Sequence, residues 1–302
     1  MDSPMNDTPP AAPGAVPPAE AAAATTAAPA TPEKKEDSFG VFLLKLVVFV
    51  AVFRSFFFAP FYIPSESMLP RLLVGDYLLL AKWPYGYSRN SLPFSIPLLP
   101  EHRVLARQPQ RGDVVVFKAP PLNRDDWIKR VIGVPGDTVQ VKDGVVWLNG
   151  QPVPKQRIAD FEMPVTPNLV VDQAGNPKEP CGSSQFEVKL ANGSDVCRYP
   201  QFRETLPGGK SYNVLDFGPR ENDNTDPVVV PEGMVFLMGD NRDNSADSRV
   251  SFDRGGLGGP VPQDNLLGRA TVMMFSTDGG AEWLKPWTWF TAARFNRIGG
   301  GF

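Results

Sequence analysis

The stretch TVQVKDGVVWLNGQPV, residues 138–153, indicates the fold class of this 302-residue chain. On each side of Asp143-Gly144, apolar and polar residues alternate, which is typical of a half-buried β-strand. An Asp-Gly pair between two such runs is a strong signal for a hairpin with a two-residue turn. The sequence therefore predicts two antiparallel strands joined at Asp143 and Gly144.

Similar short runs, rich in β-branched residues and separated by Gly and Pro, recur along the chain. They are DYLLLAKW (76–83), DVVVFKAP (113–120), IKRVIGV (128–134), PVVVPEGMVFLMG (227–239) and RATVMMFST (269–277). No long amphipathic helix is evident among them. We therefore expect a mainly β fold, built as a barrel-like or folded-over sheet.

One long apolar run, SFGVFLLKLVVFVAVFRSFFFAP at residues 38–60, precedes these strands. At about 1.5 Å per residue, a helix of this length crosses a hydrocarbon layer of about 30 Å. Lys45 and Arg54 lie toward its ends, where long side chains can reach lipid headgroups. A membrane span is therefore predicted, with a buried helix of a soluble domain as the alternative.

The flanks of this run bear on its orientation. A cleaved signal peptide is disfavoured, because no small-x-small site follows the run. Lys34 and Lys35 precede it and no comparable pair follows it, so the positive-inside rule places the N-terminus in the cytoplasm. Everything after Pro60 is then expected outside the cytoplasm.

Composition divides the chain into five segments. They are an Ala/Pro-rich tail expected to be disordered (1–37), the span (38–60), the first part of a β core (61–150), an inserted, polar, turn-rich lobe (151–226) and the second part of the core with an aromatic C-terminal tail (227–302). The lobe holds both cysteines, Cys181 and Cys197. Outside the cytoplasm they are expected to form a disulfide, with two free thiols as the alternative.

Charge and residue counts exclude several classes of function. The net charge is −3, so the chain offers no general attraction to nucleic acid. One histidine, His102, and two cysteines are too few and too widely spaced for a zinc site, and no metal or cofactor is expected. A serine–histidine–aspartate triad would have to use His102. A serine nucleophile in this chain therefore calls for a different base.

Three stretches carry candidate chemistry. IPSESML (63–69) places Ser65 and Ser67 directly after the apolar run. Lys129 lies within an apolar strand, and burial there can lower the pKa of a lysine enough to make it a base. GDNRDNSADSR (239–249) is unusually rich in Asp, Asn and Ser, but lacks the glycine and glutamate of a calcium-binding EF-hand loop. It is better suited to a hydrogen-bonded platform that orients another group.

IPSESMLP, RGDVVVFK, KRVIGVPGD and GDNRDNSADSR resemble, in this order, the motifs of bacterial type I signal peptidases, which are membrane-anchored serine–lysine proteases of the leader peptidase family. The resemblance covers roughly residues 38–275. It implies Ser67 as nucleophile, Lys129 as general base and Ser65 as an oxyanion-hole donor. It implies further that Ser245 orients the lysine, that Asp247 and Arg249 support the loop, and that Ile63, Leu72, Leu78, Trp127 and Ile128 line substrate pockets.

The same resemblance implies an activity and a location. The substrates would be the signal peptides of secretory preproteins, cut after a small-x-small site through an acyl-enzyme. The protein would be a single-pass protein of the bacterial inner membrane, in contact with lipid, with its catalytic domain on the periplasmic side. Glu66, Arg71 and Trp127 depart from residues common in the family, and their effect on specificity stays open.

Two alternatives remain at this point. Self-cleaving proteins of the LexA type also use a serine before methionine and a lysine on a nearby strand. A membrane-tethered β domain that binds a partner without catalysis is the other possibility, with its serines serving only turns.

Overall fold

The computed structural model describes residues 38–92, 97, 99–100, 102–172, 174–282 and 284–302. The predicted disordered tail, residues 1–37, lies outside the described residues. The chain divides after Leu43 into two compact units, and all strands belong to the second.

Helix α1 spans Phe39–Phe56 and is, within the described residues, the one helix long and apolar enough to cross a membrane. Nearly all of its side chains are exposed, which is not the pattern of a helix in a soluble core. It ends four residues before the predicted limit of Pro60. The residues that follow it are also mostly apolar, but they form the first strand, Phe58–Tyr62, and are not part of the helix.

The strands follow α1 in this order: β1 (Phe58–Tyr62), β2 (Asp76–Ala81), β3 (Val114–Lys118), β4 (Asp126–Gly133), β5 (Thr138–Lys142), β6 (Val145–Leu148), β7 (Gln151–Pro152), β8 (Lys155–Pro164), β9 (Glu187–Lys189), β10 (Asp195–Thr205), β11 (Ser211–Leu215), β12 (Val228–Val229), β13 (Met234–Met238), β14 (Val261–Pro262) and β15 (Leu266–Ser276). Two short α-helices, α2 (Pro167–Val170) and α3 (Trp287–Thr291), and several 3₁₀-helices of three residues each also occur within the described residues. The prediction of a mainly β fold with one N-terminal helix is confirmed.

The largest sheet of the described residues has seven strands in the order β1-β2-β15-β3-β4-β13-β14. Its paired strands are all antiparallel. Strand β15, from the end of the chain, lies between β2 and β3. This insertion joins β2, the strand after Ser67, to β3, which pairs with the Lys129 strand β4.

The predicted hairpin is confirmed. Strands β5 and β6 pair with Lys142 opposite Val145, so Asp143 and Gly144 form the turn. Both have positive φ, 47° and 72°, as a two-residue type I′ turn requires. Strands β12 and β7 extend this hairpin to a four-stranded sheet.

A third sheet contains β8, β9, β10 and β11, all within the segment predicted as an inserted lobe. Cys181 and Cys197 form a disulfide there. Both cysteines pack in one hydrophobic cluster with Leu69 and Leu73, which follow Ser67 in sequence. The lobe therefore packs directly against the segment that carries the nucleophile candidate.

Candidate active site

Ser67 lies in the loop between β1 and β2, residues 63–75. The loop is closed at its base, where the Ile63 N–H donates to the carbonyl of Asp76 at 2.8 Å and the Gly75 N–H donates to that of Ile63 at 3.0 Å. Met68, the next residue after Ser67, is fully buried in the core. The loop is thus fixed at both ends, with Ser67 held between them.

Lys129 reaches this loop from β4. Its Nζ lies 2.8 Å from Oγ of Ser67 and donates to the carbonyl of Ile128 at 3.1 Å. The amine also lies 5.6 Å from the ring centre of Trp127. The side chain is buried, with 4% of the residue exposed. The two residues predicted as nucleophile and base are therefore in hydrogen-bond contact.

The electrostatic setting of Lys129 favours the neutral amine. Burial lowers the pKa of Lys129 from 10.5 to about 8, because an ammonium loses its hydration there. The carboxylates of Asp247 and Asp240 oppose this shift, and Arg249 adds to it. A substantial fraction of the amine is accordingly unprotonated a little above neutral pH.

A cleft of about 640 Å³, called here the active-site cleft, opens beside these two side chains. Its lining comprises Phe61, Pro64, Ser65, Glu66, Ser67, Asp125, Asp126, Trp127, Ile128, Lys129, Asn244 and Ala246. Oγ of Ser65 lies 3.4 Å from Oγ of Ser67.

Of the five residues predicted to line substrate pockets, Trp127 and Ile128 lie on the cleft wall. Ile63, Leu72 and Leu78 are fully buried in the core cluster that also contains Ile128. They support the cleft wall from behind and do not line it. The sequence could not distinguish residues on the cleft wall from residues in the core behind it, because both groups are apolar.

The 239–249 loop holds the nucleophile segment through its backbone. The Asn241 N–H donates to the carbonyl of Ser67 at 3.1 Å, and Nδ2 of Asn241 donates to that of Glu66 at 3.2 Å. Gly239 permits this approach, since a Cβ at that position would lie 2.6 Å from the Ser67 carbonyl oxygen. Neither residue was singled out from the sequence, although both lie in the block that was.

Asp247 and Arg249 brace this loop from within. Asp247 is fully buried and accepts from Nε and Nη2 of Arg249 at 3.0 and 2.9 Å. The Gly239 N–H donates to the same carboxylate at 3.0 Å. Oγ of Ser245 is buried and has no hydrogen-bond partner within the described residues, so the bond to Lys129 implied by the resemblance is absent here.

Two buried arginine–carboxylate pairs tie the loop to its surroundings. Arg130, the neighbour of Lys129, binds Asp240 with two hydrogen bonds of 2.7 and 2.6 Å. Arg242 binds Glu204 of β10 in the same bidentate manner, also at 2.7 and 2.6 Å. Removing one partner of such a pair leaves a buried charge and typically costs about 3–5 kcal/mol. The first pair joins the loop to β4, and the second joins it to the lobe.

Glu66, between the two serines, is also held by the lobe. Its carboxylate forms an ion pair with Lys178 and accepts from Nδ2 of Asn244 at 3.3 Å. Only 8% of Glu66 is exposed, although it faces the active-site cleft. The sequence does not predict that Lys178 pairs with Glu66 or that Glu204 pairs with Arg242, because the partners lie far apart along the chain.

A serine hydroxyl beside a buried amine, at a cleft in a β domain, is an arrangement suited to peptide hydrolysis by serine. Residues 37–275 match the family model described as "Signal peptidase, peptidase S26". The chain belongs to this family of peptidases. This membership separates it from LexA-type proteins and from a non-catalytic β domain.

Two sequence relatives named "Signal peptidase I", both from Rickettsia, support the same assignment. The protein of Rickettsia typhi is 34% identical over 275 residues, covering 84% of this chain and 89% of the relative. That of Rickettsia prowazekii is 33% identical over 284 residues, covering 87% and 92%. A solved structure of a signal peptidase I from Enterococcus faecalis shares 25% identity, covering 55% of this chain and 98% of its own, with a TM-score of 0.27.

No group of three or more His, Cys, Asp or Glu side chains within the described residues could hold a metal ion.

Proposed function

We propose that this protein is a membrane-bound serine endopeptidase that removes N-terminal signal peptides from secreted preproteins after a small-x-small site. The observation that carries the proposal is the 2.8 Å separation between Nζ of Lys129 and Oγ of Ser67, with the amine buried. Family membership supplies the substrate class, because the relatives are named signal peptidases.

In the first step, Oγ of Ser67 attacks the carbonyl carbon of the scissile peptide and its proton passes to neutral Lys129. The resulting oxyanion accepts hydrogen bonds from the Ser67 N–H and the Ser65 hydroxyl. Within the described residues the Ser67 N–H has no acceptor, so it is available for this role. Donors that are already oriented stabilise the developing charge at little reorganisation cost.

In the second step, the lysine ammonium gives its proton to the leaving amine as the carbon–nitrogen bond breaks. The signal peptide remains as an ester on Ser67. Lys129, neutral again, removes a proton from water, and the hydroxide attacks the ester carbonyl. Collapse of this second intermediate breaks the ester bond and returns a proton to Oγ of Ser67.

Specificity for small side chains follows from the cleft wall. Trp127 and Ile128 face the cleft, and Ile63, Leu72 and Leu78 pack tightly in the core behind it. A close-packed wall cannot yield to a bulky side chain without strain, so Ala or Gly is accepted and larger residues are rejected.

The membrane arrangement belongs to the same proposal. Helix α1 would span the bacterial inner membrane with the N-terminus in the cytoplasm, and the β domain would lie on the periplasmic side. The disulfide between Cys181 and Cys197 supports an oxidising compartment for the β domain. Residues 61–150 and 227–302 would form the catalytic core, and residues 151–226 the inserted lobe.

The supporting roles complete the assignment. Asp247 and Arg249 would hold the 239–249 loop in place, for which their buried ion pair is the evidence. Ser245 remains a predicted orienting residue for Lys129, and its buried Oγ has no hydrogen-bond partner within the described residues.

The test is cleavage of a secretory precursor by membrane preparations of Ser67→Ala and Lys129→Ala. Each variant is expected to lose processing while remaining folded in the membrane. Ser194→Ala and Lys189→Ala, which change the same residue types at exposed positions of the lobe, should process normally. Full processing by either active-site variant would refute the proposal.

A further inference from the structure

A second cavity, of about 310 Å³, adjoins the active-site cleft and shares Phe61 and Asp126 with it. It is called here the basic cavity. Its walls come from the last turns of α1, from β1 and β2, and from the turn around Ser91. Much of the wall is apolar and includes Ala51, Ala59, Pro60 and Leu80.

Three cations and one carboxylate face the basic cavity. Lys118 forms an ion pair of 2.7 Å with Asp126, so these two charges compensate each other. Arg54 and Lys82 have no carboxylate within ion-pair distance among the described residues. Among the described residues that line this cavity, positive charges therefore outnumber negative ones by two.

Lys82 is the unusual member of this set. Only 7% of the residue is exposed, and its Nζ donates one long hydrogen bond, 3.4 Å, to the carbonyl of Ser91. An ammonium has three N–H donors, so two lack a partner within the described residues. A buried cation without a partner is costly and indicates a missing acceptor.

The electrostatics of Lys82 agree with this geometry. Burial lowers the pKa of Lys82 to about 8, Asp126 opposes the shift, and Arg54 and Lys118 add to it. An anion bound between Lys82 and Arg54 would offset both the burial and the repulsion between the cations.

The position of Arg54 indicates what the anion is. Arg54 lies in the last turn of α1, the helix proposed to span the membrane, so the cavity opens where lipid headgroups lie. Apolar walls beside two cations that have no carboxylate partner within the described residues suit an amphiphile that carries a phosphate and hydrocarbon chains.

Resting on the proposed membrane anchorage, we propose that the basic cavity binds the phosphate of a membrane phospholipid between Arg54 and Lys82. The guanidinium and the ammonium donate hydrogen bonds to the phosphate oxygens, and the apolar wall contacts the first carbons of the acyl chains. The bound lipid would lie next to Asp126 and Phe61, and hence beside the cleft that receives the substrate.

The experiment is native mass spectrometry of the full chain in detergent, titrated with phosphatidylglycerol. Arg54→Gln and Lys82→Met are each expected to weaken the tightest bound lipid about tenfold, the effect of losing one charged hydrogen bond. Lys189→Gln, which removes an exposed lysine from the lobe, should bind as the wild type does. Arg54 is exposed in the structure, so its variant tests the site even if Lys82→Met fails to fold.

Two further arms identify the ligand. Diacylglycerol, with the same chains but no phosphate, should not occupy the site, and millimolar inorganic phosphate should not displace phosphatidylglycerol. The proposal is overturned if Arg54→Gln retains wild-type affinity, if diacylglycerol binds equally well, or if inorganic phosphate displaces the lipid. Cleavage of a precursor is assayed on the same samples: normal cleavage with unchanged lipid binding in Arg54→Gln refutes the lipid site alone, and lost cleavage by the wild type refutes the proposed function alone.

Discussion

The carbonyl oxygen of Ser67 accepts a 3.1 Å hydrogen bond from the backbone N–H of Asn241. The side chain of Asn241 donates to the preceding carbonyl, that of Glu66, at 3.2 Å. Asn241 thus fixes both peptide units that flank the nucleophile, and the position of Oγ relative to Lys129 depends on a loop from the last quarter of the chain.

Asn241→Ala is expected to lower kcat about tenfold with little change in KM. The substitution removes the hydrogen bond to Glu66, worth about 1–1.5 kcal/mol, and loosens the nucleophile more than it affects substrate binding. Steady-state cleavage of a precursor peptide measures both constants. Asn224→Ala is the control, because Asn224 accepts from the backbone of Asp143 at the exposed hairpin turn. Equal kcat for wild type and Asn241→Ala would show that this bond does not position Ser67.

The rate should depend on pH through Lys129. The pKa of Lys129 is lowered to about 8 by burial, and only the neutral amine can accept the proton of Ser67. We expect kcat/KM to rise about tenfold per pH unit below this pKa and to level off above it. Measurements between pH 6 and 10 test this, and a flat profile across that range would exclude a lysine base.

Lys129→Met should inactivate the protein but stabilise its fold. A folded pKa of about 8 against 10.5 for the free side chain corresponds to roughly 3 kcal/mol of lost stability at pH 7. The unfolded chain binds the lysine proton more tightly than the folded chain, so Lys129 destabilises the fold. This loss of stability is full below pH 8 and disappears as the pH rises to 10.5. Denaturant unfolding at pH 7 should show the gain. Ser67→Ala, equally inactive, should show none.

Lys178→Ala should reduce activity at neutral pH severalfold. Without Lys178, the carboxylate of Glu66 faces the active-site cleft uncompensated, and a negative charge there favours the ammonium form of Lys129. The midpoint of the pH–rate profile should therefore move upward, by roughly half a unit for a partly screened charge.

The matched variant for this test is Glu66→Gln combined with Lys178→Ala. It removes both charges and should return the midpoint to the wild-type value. A midpoint that stays shifted in the double variant would mean that Lys178 acts through the packing of the lobe and not through the charge of Glu66.

Much of the fold could be predicted from the sequence, because the strands of the central sheet are short, apolar and bounded by turn residues. The lobe was harder to predict. Strands β8 and β10 are ten and eleven residues long, yet most of β8 is exposed or only partly buried, so burial imposes no alternation on its sequence. Residues 57–60 belong to the predicted span, although Phe58–Tyr62 form β1, because apolar composition alone does not separate a helix from a strand.

Part of the candidate site could also be predicted from the sequence, and part could not. Ser67 and Lys129 lie in local patterns with a chemical meaning, and the structure brings them together. Ile63, Leu72 and Leu78 were expected on the cleft wall and lie behind it. The sequence shows that a residue is apolar, but not whether it faces a cavity or the packed core. The roles of Lys178 and Glu204 could not be predicted, because no local sequence pattern marks a residue that forms an ion pair with a distant segment.

The place of β15 between β2 and β3 has a consequence for biosynthesis. Strand β2, which follows Ser67, and strand β3, which pairs with the Lys129 strand β4, are neighbours of β15, not of each other. The sheet that holds the hydroxyl and the amine is therefore complete only after nearly all of the polypeptide has been synthesised. We expect a product that ends before β15 to lack the strand that joins these two parts of the sheet, and therefore to be inactive.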